Sequence, residues 1–163
     1  MTISEALLPE FDQEIANTRR TLERVPSVPE FAPHPKSMKL GNLAPHIAQL
    51  TEFGVTVLTT PQFEFSAGSY VPLQFESAAQ LVKVLDEGAA KVRQALANTN
   101  DEAWSQPWKL LFEGNVLFEG SRFLAYRQMF LNHIVHHRAQ LGVYLRLNGV
   151  AVPATYGPSA DEQ

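Results

Sequence analysis

Residues 121–148, SRFLAYRQMFLNHIVHHRAQLGVYLRLN, repeat apolar side chains at helical spacing over their whole length. Each helical residue advances about 100°, so with His133 as origin Tyr126 and Tyr144 fall at about 20°, Phe130 at about 60° and Leu141 at about 80°. His137 falls at about 40°, in the middle of that stripe, whereas His136 falls at about −60°, beside Met129 and Asn132. Gly149 follows as a natural C′ residue. A helix this long, apolar along one stripe, needs other helices to cover it.

Three further helical segments supply the cover. Residues 77–99 place Leu81, Val82, Leu85, Ala89, Val92 and Leu96 inward. Residues 37 onward open with Ser37 as an N-cap and carry Leu43, His46, Ile47, Leu50, Phe53 and Val57 on one side. Pro45 removes one backbone donor there and predicts either a kink or a start near Asn42. Residues 8–25 turn Leu8, Phe11, Ile15, Leu22 and Val25 to one side, with Pro9 tolerated in the first turn.

Between these, a proline-rich crossing (Pro26, Pro29, Pro33, Pro35) joins the first two helices, and residues 59–76 read as a long irregular loop. Residues 98–107 are turn-rich. Residues 108–113 and 116–119 flank Gly114-Asn115 and read as a small β-hairpin between the third and fourth helices. The whole, residues 1–163, is expected to be one all-α domain, a four-helix bundle with one hairpin.

Composition narrows the function. The chain has 163 residues, 45% hydrophobic and 18% charged, enough for one packed core. Thirteen basic residues against seventeen acidic give a net charge of −4, and the basic residues form no stripe, which disfavours nucleic-acid binding. The absence of cysteine excludes disulfides, thiolate metal sites and a cysteine nucleophile. Residues 1–5 lack the pattern of a signal peptide and no apolar run reaches the ~20 residues of a membrane span, so a cytoplasmic location is expected.

His133 and His137 lie one turn apart on a buried stripe, where imidazoles need partners. His46 shares its face with Leu43, Leu50 and Val57, all within about 60° of it, and so points toward the same core. Three imidazoles from two helices make a neutral nitrogen donor set suited to zinc, nickel, iron or copper. Three protein ligands also leave a position open for water or substrate, the mark of a catalytic site. His34 reads as a loop residue, His136 as a neighbour of the site or solvated, and Trp104, Trp108, Phe112 and Phe118 as hairpin packing.

The stretches HPKSMKLGNLAPH (residues 34–46), NHIVHHRAQLGVYLR (132–146) and VPATYGPSADE (152–162) together resemble the DinB/YfiT-like superfamily, over nearly the whole chain. Two positions depart from its pattern: Ala139 stands where glycine is common, and Pro45 precedes the first ligand. The resemblance implies an up-down-down-up bundle, a homodimer, and a nickel or zinc ion on His46, His133 and His137. It implies no single reaction: relatives include thiol-dependent transferases and isomerases that use a low-molecular-weight thiol, and that chemistry on a small-molecule substrate is the first expectation. His136 and Tyr156 are candidate contacts to the ligands or the substrate, with packing of the tail turn an equal alternative for Tyr156. A non-catalytic scaffold, with the ion pinning two helices, is one alternative. A metal-dependent hydrolase is another, with less support because the helix lacks the glutamate of HExxH.

Overall fold

The structure, a computed structural model, describes all 163 residues. Helix α1 (Ile3–Leu22) begins where the sequence closes a reciprocal cap: the Glu5 N–H donates to Thr2 Oγ1 (3.1 Å) and the Thr2 N–H donates to Glu5 Oε2 (2.7 Å). That box satisfies two donors of the first turn, so the helix starts before residue 8 and Pro9 lies in its interior. It stops at Leu22, short of Val25, because Arg24 and Val25 donate to Thr21 and Leu22 in tighter turns.

Helix α2 (Leu40–Thr59) is not capped by Ser37. Lys39 holds the N-cap position without a side-chain bond. The orphan donors of the first turn go instead to the proline-rich crossing: the Leu40 N–H to Phe31 O (2.8 Å) and the Gly41 N–H to Pro29 O (2.9 Å). This approach is so close that a Cβ on Gly41 would lie 2.6 Å from Pro29 Cβ. Tertiary acceptors thus start α2 at Leu40, ahead of Asn42, and the helix runs through Pro45. At its far end Arg122 Nη1 donates to the carbonyls of Val57 (3.2 Å) and Leu58 (2.6 Å).

Residues 59–76 are not wholly irregular. Strand β1 (Gln62–Phe65) pairs in parallel with β2 (Pro107–Phe112), which pairs antiparallel with β3 (Asn115–Ser121), giving the order β1-β2-β3. The sheet therefore has three strands where the sequence suggests two. Gln-Phe-Glu-Phe alternates as a strand should, but its partner lies far along the chain and only folding brings it near. The tight turn is Glu113-Gly114, not Gly114-Asn115: Glu113 (φ 47°) and Gly114 (φ 79°) both take the positive φ that a type I′ turn requires. β1 holds that turn, since the Glu113 N–H donates to Phe65 O (3.1 Å) and the Gly114 N–H to Glu64 Oε1 (2.9 Å).

Helix α3 (Ala78–Asn98) starts at its Ser77 cap, as its pattern predicts. The turn-rich segment after it contains a short helix, α4 (Asp101–Ser105), which carries Trp104 into the core rather than onto the sheet. The Trp104 indole N–H donates to Ser4 Oγ at 3.0 Å.

The fourth long segment runs from α5 (Arg122–Ala125) through a π-helical turn (Tyr126–Leu131) into α6 (Asn132–Leu147). It closes in a Schellman motif: the Gly149 N–H donates to Arg146 O (3.1 Å) and the Val150 N–H to Leu145 O (3.0 Å), with Gly149 at φ 71°. The long helices touch in a closed circuit, α1 on α3, α3 on α2, α2 on α6 and α6 on α1. Inside it lie two apolar clusters, one built around Phe11, Trp104, Trp108, Tyr126 and Phe130, the other around Leu22, Leu43, Ile47, Leu85 and Leu141. No helix is long and apolar enough to cross a membrane.

Candidate metal centre

Along α2 the core changes cluster between Ala48 and Leu50, and along α6 between Ile134 and Leu141. His46 lies two residues before Ala48, His133 one before Ile134, and His137 between Ile134 and Leu141; each is half-buried. Because α2 and α6 pack together, the three rings converge, with centroids 5.3 Å (His46–His133), 4.9 Å (His46–His137) and 4.6 Å (His133–His137) apart. Their Nε2 atoms turn inward: His46 Nε2 lies 3.5 Å from His133 Nε2, which lies 2.8 Å from His137 Nε2.

The outer nitrogens explain that orientation. His133 Nδ1 is 3.2 Å from Met129 O, and His137 Nδ1 is 2.7 Å from Gln140 Oε1. A carbonyl and an amide oxygen only accept, so each Nδ1 must carry the hydrogen, which leaves each Nε2 a bare lone pair. Two lone pairs at 2.8 Å repel unless a positive species stands between them.

A proton is a poor candidate for it. Burial, then the neighbouring His137 and His133 charges, push the His46 pKa down to about 4. Burial is also the main cause lowering His133 and His137, against the bonds to Met129 O and Gln140 that would raise them. Neutral imidazoles facing one point fit a divalent transition ion, whose ligands must be deprotonated. These three histidines form a group that could hold one.

The other histidines stand elsewhere. His136 is exposed, with its ring 4.9 Å from that of His137. His34 is exposed on the crossing and its Nδ1 accepts from the Lys36 N–H (3.1 Å). The Tyr156 hydroxyl lies 2.8 Å from a Glu14 carboxylate oxygen and accepts from Arg138 Nη2 (2.6 Å). There it joins a buried Arg138–Glu14 ion pair (2.6 Å) that fastens α6 to α1.

A cavity of about 580 Å³ opens beside the triad, with His46 and His133 in its wall. Phe53, Phe63, Phe65, Leu110 and Met129 are among the apolar side chains that line it. Tyr70 and Val71, which also line the cavity, and the neighbouring Leu73 are tied to α2 by one side chain. Gln49 Oε1 accepts from the Tyr70 hydroxyl (3.0 Å) and the Leu73 N–H (2.7 Å), while Gln49 Nε2 donates to Val71 O (3.2 Å).

Sequence reasoning missed Gln140, Gln49 and the Met129 carbonyl. Gln140 was legible as the residue one turn beyond His137, on the same face. The Met129 carbonyl was not, because a π turn leaves no mark in a 3.6-residue pattern, although such turns gather at functional sites.

Comparison with known proteins gives consistent matches. The model of the DinB family matches residues 36–163, which include all three triad histidines. Solved structures of two DinB-like proteins superpose on the chain. One, from Bacillus cereus, has a TM-score of 0.69 at 21% identity, covering 95% of this chain and 98% of its own. The other, YjoA of Bacillus subtilis, has a TM-score of 0.67 at 17% identity, covering 92% and 96%. At these identities the likeness is one of fold. No curated protein matches the chain.

Proposed function

The chain belongs to the DinB family, and from that premise we propose that it is an enzyme holding one nickel or zinc ion on Nε2 of His46, His133 and His137. Its substrate is a small electrophilic molecule, attacked by a low-molecular-weight thiol. The observation that carries this reading is the convergence of Nε2 lone pairs whose Nδ1 partners are already committed. When bound, such an ion supplies Lewis-acid chemistry and lowers the pKa of a ligated thiol or water.

The chain's own residues do the rest. His46, His133 and His137 provide the donors, while Met129 O and Gln140 fix the tautomers and ring directions of two of them. The apolar cavity keeps water from part of the substrate and orients it toward His46 and His133. Three protein donors beside a cavity support a catalytic site over a structural pin, which usually closes its fourth position. The reading takes with it the family's up-down-down-up helix order, a homodimer and a cytoplasmic location.

Elemental analysis of protein prepared without a histidine tag is the test. A single bound nickel or zinc ion, absent from His133→Ala, is expected. No bound ion, or thiol-transfer activity that persists in His133→Ala, overturns the metal mechanism.

A further inference from the structure

The hydrogen-bonding groups on the wall of the cavity beside the triad are largely used up within the chain. The Gln49 carboxamide is spent on Tyr70, Val71 and Leu73. The Ser69 hydroxyl donates to Ser66 O (2.8 Å) and accepts from the Ser66 N–H (3.0 Å), and the Tyr70 hydroxyl donates to Gln49 Oε1. His46 and His133 turn Nε2 toward the ion site. Apart from Glu52, which is exposed, the surface left on offer is apolar and includes Phe53, Phe63, Phe65, Leu110 and Met129.

We propose that this cavity binds the aromatic body of the electrophilic substrate, one or two rings, with the reactive end turned to the ion on His46, His133 and His137. The wall rewards a flat ring over a saturated one of the same size. Phe63 stands edge-on to Phe53 (centroids 5.7 Å apart) and stacks on Phe65 (6.1 Å, planes 17° apart). Aromatic pairs favour both of those arrangements, so the same wall can take a further ring edge-on or stacked. Met129 adds a thioether sulfur, which packs favourably at a ring edge. The volume of about 580 Å³ suits a molecule of one or two rings.

This names the substrate class of the function proposed above, and rests on that reading for which end of the molecule points inward. It also divides the site between the two reactants. The polar groups of a low-molecular-weight thiol need hydrogen-bond partners, and those on this wall are already committed. The thiol therefore brings its sulfur to the ion and keeps its polar body outside, and the apolar space is left to the electrophile.

The test titrates three neutral alcohols, 2-phenylethanol, 2-cyclohexylethanol and 1-propanol, into the full chain with zinc added. The chain has three methionines, of which Met129 lines the cavity while Met1 and Met38 are exposed and outside it. NMR of isotope-labelled methionine methyl groups therefore reports entry at one signal. 2-Phenylethanol is expected to shift the Met129 methyl alone. It should bind at least about tenfold more tightly than 1-propanol, and no less tightly than the more hydrophobic 2-cyclohexylethanol. Phe65→Leu keeps apolar bulk on a half-buried strand residue but removes its ring. It should weaken 2-phenylethanol about threefold and leave 2-cyclohexylethanol unchanged. A Met129 signal that stays in place, 1-propanol binding as tightly, 2-cyclohexylethanol binding more tightly, or a Phe65→Leu variant that keeps the full affinity for 2-phenylethanol overturns the proposal. None of the probes needs the ion to bind, so the same ranking in a chain that elemental analysis finds metal-free supports the aromatic site and sinks only the metal reading.

Discussion

His133 and His137 set their Nε2 atoms 2.8 Å apart while their Nδ1 atoms face Met129 O and Gln140 Oε1. With each Nδ1 hydrogen directed at an outer acceptor, the two Nε2 atoms present their lone pairs to one point. The relationship makes Gln140 as informative a target as the histidines themselves.

Gln140→Leu removes the acceptor that fixes the His137 tautomer but spares all three donor rings. Metal affinity is expected to fall by about 10–100-fold, the usual cost of losing such an outer partner. Competition against a chromogenic chelator measures it. Unchanged affinity would mean that Gln140 does not orient His137.

The metal-free protein should lose stability on acidification in a particular window. The folded pKa of His46 is about 4, below its ordinary 6.5, because burial and the other two imidazoles disfavour its charge. The unfolded chain therefore binds the extra proton between those values, and the stability present above about pH 6.5 is lost as pH falls toward 4. His133 and His137 shift in the same direction. Urea midpoints taken across this range should fall more steeply for the wild type than for His46→Asn. Parallel curves would remove His46 as the cause.

The Arg138–Glu14 pair is buried on both sides, with Arg138 also donating to Glu14 O (3.0 Å). Glu14→Gln leaves a guanidinium in the interior without its counter-charge, and a loss of about 3–5 kcal/mol is expected. Tyr156→Phe removes only a hydroxyl from the rim of the same network, on a residue 68% exposed, and should cost about 1 kcal/mol or less. Denaturant titration of both variants orders them. The reverse order would place the weight of that contact on the tail rather than on the ion pair.

Helices α2 and α3 meet at a point with no spare room. A Cβ on Gly88 would lie 1.9 Å from Thr51 Oγ1, a buried hydroxyl that donates to Ala48 O. Gly88→Ala should destabilise by about 1–3 kcal/mol despite alanine's better helix propensity, since the contact must open. A variant as stable as the wild type in thermal melts would show that the two helices can separate at low cost.

Local pattern was enough for much of this protein. The stripe through Tyr126, Phe130, Leu141 and Tyr144, the Ser77 cap of α3 and the Gly149 stop of α6 follow from spacing and backbone preference, which act within a few residues. The inward direction of His46, His133 and His137 was legible for the same reason. The start of α1 was written in the sequence too, as the reciprocal cap of Thr2-Ile3-Ser4-Glu5, but the reading from residue 8 passed over it. Tertiary structure decided what depends on distant partners. β1 is a strand because residues 107–112 come to lie beside it, and α2 begins at Leu40 because Phe31 and Pro29 offer their carbonyls. Arg138 and Glu14 are buried because each is the other's counter-charge across two helices. The distance between the Nε2 atoms belongs to this second group: helix periodicity says which way a ring points, and only the packing of α2 against α6 says how near another ring stands.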